Sequence, residues 1–328
     1  MVKLYSEADA NVALLNGKKI AVIGYGAQGR AQARMLHESG ISVVVGVREN
    51  GKSWEQAQAD GLTVATIADA SAQADIVHIL IPDEIQAEVY TKEIEPNLKS
   101  GGTLSFSHGF NVVFGKIQPR ADLDVIMVAP KSPGTEEYKR FKEGFGVPAL
   151  IAVAQDASGQ AKEIALAMAG AMKFTKAGVM ECSFQQEAEE DLFGEQTVLC
   201  GGAAGLIKAG FEVLTEAGYP PEMAYFECLH EMKLIVDLIY EGGIGHMYDV
   251  VSNTAEYGGR SFEANINNEA MKEIMRKQLK KIQSGAFAEE WLNEYKGGMN
   301  QMKAWREAEK NHPIEKCGVE IRKLFIKK

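Results

Sequence analysis

Lys19-Ile20-Ala21-Val22-Ile23-Gly24-Tyr25-Gly26-Ala27-Gln28-Gly29 is the stretch on which the fold turns. Lys19 to Ile23 read as a buried strand, and a GxGxxG turn follows at once. A helical pattern starts there, with Ala31, Ala33 and Leu36 on one side and Gln32, Arg34, His37 and Glu38 on the other. Strand, glycine turn and helix in that order form a dinucleotide-binding unit. Gly24 permits the tight turn, Gly26 lets the backbone approach a pyrophosphate, and Gly29 lets helix and strand pack closely. The helix N-terminus offers free N–H groups to the phosphates.

Outward from this unit, the alternation continues. A second strand, 41–47, ends in Arg48-Glu49-Asn50-Gly51-Lys52-Ser53-Trp54, where the adenine ribose is inspected. Arg48 suits a 2′-phosphate and Ser53 can donate to it, so NADP(H) is expected, although Glu49 pulls the other way. Further strands are expected at 74–81, 102–106, 124–128 and 146–153, the last being the final strand of this domain. Asp83-Glu84-Ile85-Gln86 opens a helix behind Pro82. Ser107-His108-Gly109-Phe110-Asn111 and Ala129-Pro130-Lys131-Ser132-Pro133-Gly134 follow two strand ends, where an open α/β sheet binds ligands. His108 and Lys131 are therefore site candidates; the plainer readings are a capped turn and a solvated lysine.

Beyond Ser183 the strand signals vanish. Long helical periodicities run over 184–216 and 221–240. Gly242-Gly243-Ile244-Gly245 is expected to break them, and 253–260 to form a polar loop, before charged amphipathic helices at 265–328. The expected fold is an α/β Rossmann-like domain, residues 1–182, followed by an all-α domain, residues 183–328.

The helical half carries two acid pairs at helical spacing, Asp191/Glu195 and Glu227/Glu231. Residues four apart share one face of a helix. Glu195 runs into Thr197-Val198-Leu199-Cys200, and Glu227 and Glu231 stand among Phe226, Leu229, Met232 and Leu234. Helices this apolar are expected to be buried, and buried carboxylates need positive charge. Hard divalent ions such as Mg²⁺ supply it and keep waters for a substrate to displace. Two solvated acidic faces are the plainer alternative.

The chain has 328 residues, 46% hydrophobic and 24% charged, with net charge −10. Such acidity argues against a general nucleic-acid binder. No apolar run approaches a membrane span, and the first residues carry no export signal. Four cysteines show no CxxC spacing, and Cys200 and Cys228 read as small core residues, in keeping with a reducing cytoplasm.

Together, Gly24-Tyr25-Gly26-Ala27-Gln28-Gly29, Ser107-His108-Gly109-Phe110-Asn111, Ala129-Pro130-Lys131, Asp191-Leu192-Phe193-Gly194-Glu195-Gln196, Glu227 with Glu231, and Ser252-Asn253-Thr254-Ala255-Glu256-Tyr257-Gly258 resemble ketol-acid reductoisomerase, in its short-chain (class I) form. The resemblance covers essentially the whole chain. It implies a knotted C-terminal domain, NADPH, two Mg²⁺ ions, and isomerisation with reduction of 2-acetolactate or 2-aceto-2-hydroxybutyrate in valine, leucine and isoleucine synthesis. It further implies that Asp191 bridges two metals, that Glu195, Glu227 and Glu231 ligate or support them, that Ser252 contacts substrate, and that His108 and Glu231 are catalytic. Tyr25 to Gln28, Arg48, Gly51, Ser53, Asp83 to Gln86 and Gly134 fall on cofactor-contact positions. The resemblance also implies a homodimer or higher homo-oligomer in which the two acid pairs meet across the interface. Departures are Ala27 where Ser is frequent, Arg30 where His is frequent, and Thr135-Glu136-Glu137-Tyr138 where His and basic residues commonly follow Gly134.

Overall fold

The computed structural model describes residues 2–325. The chain divides into two compact units, Met1–Glu190 and Asp191–Lys328.

The first unit is built on a nine-stranded sheet. Its strands are β1 (Leu4–Tyr5), β2 (Lys19–Ile23), β3 (Ser42–Gly46), β4 (Thr63–Ala65), β5 (Ile76–Ile79), β6 (Thr103–Phe106), β7 (Asp124–Pro130), β8 (Ala149–Gln155) and β9 (Val179–Glu181). They lie in the order β1-β9-β8-β7-β6-β5-β2-β3-β4. Strands β4 to β7 through β3, β2, β5 and β6 are all parallel, from Val44 against Thr63 to Phe106 against Met127. Strand order reverses between β2 and β5, and the glycine turn leaves β2 at that switch point. Both faces of the central strands are buried, so they read as continuous apolar runs. Ile20, Val22, Val43 and Val45 enter one core. Ala21, Ile23, Val44 and Val77 enter the other. The period-two alternation of a strand produces that split.

Helices of this unit are α1 (Ala27–Glu38), α2 (Lys52–Ala59), α3 (Ile67–Gln73), α4 (Asp83–Val89), α5 (Phe110–Val113), α6 (Gly134–Lys142), α7 (Ala161–Ala171), α8 (Phe174–Ala177) and the start of α9 (Phe184–Gly194). Three strands lay outside the sequence expectation. β1, β4 and β9 have two or three residues each, too short to show a period. The strand at 146–153 is not the last of this unit; β8 runs antiparallel to β7, and β9 follows it and passes the edge on to β1.

The second unit is helical throughout: the end of α9, then α10 (Gly201–Glu216), α11 (Pro221–Tyr225), α12 (Glu231–Val250), α13 (Asn253–Ile266), α14 (Glu269–Gln283), α15 (Ala286–Lys296), α16 (Asn300–Asn311) and α17 (Pro313–Phe325). Its main buried cluster is small, comprising Phe211, Ala224, Tyr225, Ile314 and Ile321 with half-buried neighbours, and Leu192, Ile282 and Ala288 are buried outside it.

Four expectations for this half are corrected. The glycines at 242–245 leave only a kink at Gly243, whose φ of 86° is non-helical, and α12 continues to Val250. The segment 253–260 is no loop but the start of α13. The Ser252 hydroxyl caps it by accepting from the Ala255 N–H at 3.2 Å, and Arg260 pairs with Glu256 one turn on. Those contacts outweigh the weak helix propensity of Gly258 and Gly259. Cys200 is exposed rather than a core residue. Finally, the run Phe184–Glu216 is long and apolar enough to cross a membrane by length and composition, yet only 6% of its apolar window is buried within the single chain.

Candidate active site

The glycine turn divides its three glycines between packing and approach. A Cβ on Gly24, at φ +104°, would press on Leu80 O at 2.8 Å, and one on Gly29 would lie 2.4 Å from Gly24 O. These two positions are closed by the protein itself. Around Gly26 nothing lies within 4 Å of an added Cβ, and its φ of −75° is unstrained. Gly26 therefore borders the open space in front of the α1 N-terminus, the place for a phosphate. Ala27 and Gln28 begin α1 there. Gly134 permits a close approach of a different kind. A Cβ on it would meet the Ala27 carbonyl at 2.5 Å and the Gln28 N at 2.7 Å, so the start of α6 is pressed onto the glycine turn.

Tyr25 is buried, and its hydroxyl donates to Asp60 at 2.8 Å. Burial first, then that bond and the Asp60 charge, push the phenol above its usual range. Arg30 donates to the same carboxylate through Nε at 2.7 Å and Nη2 at 3.0 Å. The Tyr25 side chain thus anchors the turn, leaving only its backbone for a cofactor.

At the end of β3, Arg48 is exposed, and Gly51 caps α2, whose first turn holds Lys52 and Ser53. Along α4, Glu84 and Ile85 are half-buried. The buried Gln86 amide donates to Ile81 O at 2.8 Å and to Asp83 at 3.0 Å, while Asn111 donates to Asp83 O and to Gln86. Asp83 and Gln86 thereby hold the loop itself in shape.

The strand-end loops after β6 and β7 converge on a residue that sequence reasoning missed. Glu187 on α9 is 1% exposed, and it accepts from His108 Nδ1 at 3.0 Å, Gly109 N at 2.9 Å and Lys131 Nζ at 2.8 Å. Burial works against its charge, but the bonds and charges of His108 and Lys131 outweigh it and hold the carboxyl below its usual range. An ionised carboxylate only accepts, so His108 presents its proton to it at Nδ1. A Cβ on Gly109 would lie 2.6 Å from Phe184 O, so only glycine admits α9 this close. The one signal in the sequence was spacing: Glu187, Asp191 and Glu195 repeat every four residues.

In the second unit, both acid pairs border π-helical turns. Glu195 opens the turn Glu195–Leu199, Glu227 stands within Phe226–His230, and Glu231 follows it. Such turns are uncommon and gather at functional sites. Contrary to the expected burial, Glu195, Glu227, Glu231 and Ser252 are exposed and Asp191 is half-buried. Among the described residues, no three of the four acids converge within 4.8 Å of one another.

The sequence model of the acetohydroxy acid isomeroreductase NADPH-binding domain matches residues 14–178, and that of the ketol-acid reductoisomerase C-terminal domain matches 184–327. The chain belongs to the ketol-acid reductoisomerase family. It is 58% identical over 316 residues to the ketol-acid reductoisomerase (NADP(+)) of Akkermansia muciniphila, covering 96% of this chain and 97% of that one. It is 55% identical over 332 residues to the ketol-acid reductoisomerase (NAD(+)) of the uncultured archaeon GZfos26G2, covering both chains completely. The solved structure of an NADH-preferring ketol-acid reductoisomerase from an uncultured archean matches with a TM-score of 0.96 at 55% identity, over 99% of this chain and 100% of that one. The reductoisomerase assignment makes the chain an enzyme of branched-chain amino acid biosynthesis that uses a nicotinamide cofactor.

Proposed function

We propose that this reductoisomerase uses NADPH and two Mg²⁺ ions, acts on 2-acetolactate and 2-aceto-2-hydroxybutyrate, and works as a homodimer or larger homo-oligomer. The observation that carries the metal reading is the donor set: Asp191, Glu195, Glu227 and Glu231 offer only hard carboxylate oxygens, the ligands Mg²⁺ takes. Asp191, Glu195, Glu227 and Glu231 would hold the ions, and Ser252 would contact the substrate. Ions bound there supply Lewis acidity toward the substrate's hydroxyl and keto oxygens, and the cofactor supplies the hydride. His108, fixed at Nδ1 by Glu187, holds or moves a proton at Nε2. Lys131, anchored by the same carboxylate, places positive charge at the strand ends. Glu231 is assigned to catalysis beside its metal role.

Relatives at 54–58% identity carry either coenzyme in their names, so overall similarity does not choose between them. The loop after β3 supports NADPH, with Arg48 exposed and Lys52 and Ser53 at a helix N-terminus. The test is NADPH consumption with 2-acetolactate. Turnover should vanish with a chelator and return with Mg²⁺; turnover indifferent to chelation overturns the metal reading. In the Arg48→Ala/Ser53→Asp variant, the ratio of kcat/KM for NADPH over NADH should fall about ten- to a hundredfold, the worth of a charge-assisted contact. An unchanged ratio removes this loop from coenzyme choice.

A further inference from the structure

Between α1 and α6 lies a wholly buried polar cluster that the reaction does not use. Glu137 on α6, Gln32 on α1, His78 on β5 and Ser105 on β6 are all 0% exposed. Ser105 faces His78 Nδ1 at 2.9 Å, and His78 Nε2 lies 2.7 Å from Gln32 Oε1. Burial pushes the imidazole down to about 4, so the ring is neutral near pH 7. Its Nε2–H then donates to Gln32 Oε1, and Ser105 donates to Nδ1. This fixes the Gln32 amide, whose NH₂ donates to Ser107 at 3.4 Å, with the Glu137 carboxyl beside it but not hydrogen-bonded to it. The two Glu137 oxygens have no hydrogen-bond partner. Burial raises this carboxyl to about 8, with Gln32 the one polar neighbour opposing the rise.

The charged groups of the two helices are engaged elsewhere. Arg34 donates to Tyr138, Tyr138 and Lys142 both reach Glu38, and Arg140 pairs with Glu136 and Glu143. A buried, unpartnered carboxyl weakens a fold, and an apolar residue of similar volume would fill the space without that cost. Its position suggests what it does instead. Glu137 follows Gly134 by three residues and Gln32 follows Gln28 by four, so their pair stands one turn below the point where Gly134 presses on Ala27 and Gln28.

We propose that Glu137 is a positioning residue for the nicotinamide cofactor: in its protonated form it lets α6 seat against Gln32, and so holds the glycine turn in its binding shape. Ionisation draws the carboxylate toward water, parts α6 from α1 and loosens the turn. This role rests on the glycine turn being the cofactor site.

The test is direct titration of the full chain with NADPH, without substrate or metal, from about pH 6.5 to about pH 9.5. Wild-type Kd should be flat on the acid side and rise on the alkaline side, by at most about tenfold per pH unit. Glu137→Gln, which mimics the neutral acid, should keep the acid-side Kd and lose the alkaline rise. Glu137→Leu, which cannot meet Gln32, should bind more weakly at every pH. The folded carboxyl binds its proton more tightly than the unfolded one, so its penalty grows from about pH 4.5 to about pH 8; Glu137→Gln should accordingly gain in Tm across that window and not below it. An alkaline rise in Glu137→Gln equal to wild type overturns the proposal, as does a flat wild-type profile. Failure of the wild type to bind either NADPH or NADH overturns the cofactor site itself.

Discussion

A single side chain, Glu187, joins the two strand-end loops that the sequence singled out. Its partners are 79 and 56 residues away along the chain, so no local pattern announced it. The sequence placed His108 and Lys131 at strand ends but left each open to a plainer reading; the structure brings both onto one buried carboxylate. In Glu187→Gln, one amide oxygen must serve donors that were matched to a charge. We expect a loss of about 1–3 kcal/mol near pH 7, seen as a drop in Tm of a few degrees. The Glu187 carboxyl is held below its usual range in the folded chain. Its contribution is therefore present above the unfolded value and disappears as pH falls through the folded one. The gap between variant and wild type should close under acid conditions. Calorimetry at both ends of that range checks this, and a gap that persists in acid would show that packing, not charge, is what Glu187 supplies.

At the level of elements, what was legible follows from length and periodicity. β2, β3, β5, β6 and β7 were readable because each is an apolar run bounded by turn residues, and the glycine turn sits where it was placed. The short edge strands β1, β4 and β9 were not, because two or three residues carry no period and their pairing is decided by distant partners. The helix α13 was misread because Asn253, Gly258 and Gly259 resemble a loop, while the capping hydroxyl of Ser252 lies just outside the stretch. The three roles given to the glycines make a paired prediction. Gly29→Ala forces a methyl to within 2.4 Å of Gly24 O and should lower Tm markedly. Gly26→Ala meets nothing within 4 Å, so it should fold as wild type yet bind cofactor about tenfold more weakly or worse. Thermal melts beside NADPH titrations separate the two. Wild-type affinity in Gly26→Ala would mean that the open side of the turn faces no phosphate.

On the scale of the molecule, the second unit leaves much of its apolar surface uncovered. Its main buried cluster is small. Large apolar side chains of its helices stand in the open: Leu199 is 70% exposed, Val213 64%, Tyr240 82% and Ile244 62%. Exposed apolar side chains in such number are what an interface would cover. The sequence showed helices apolar on several faces and predicted burial; it could not say whether one chain or two would supply it, since spacing is the same either way. Three of the four acids are exposed, Asp191 is half-buried, and no three of the four gather into one cluster among the described residues. Both facts favour a site completed by a second copy, with Asp191 and Glu195 from one subunit and Glu227 and Glu231 from the other. Asp191→Asn and Glu231→Gln homodimers should then each be nearly inactive. A mixed dimer, formed by co-expression and purified through two different tags, would hold one site with both lesions and one with neither. It should recover about half of the wild-type activity per dimer if the sites act independently. A mixed dimer as inactive as its parents would place all four acids of each site on one chain, and the exposed apolar surface would then need a different occupant.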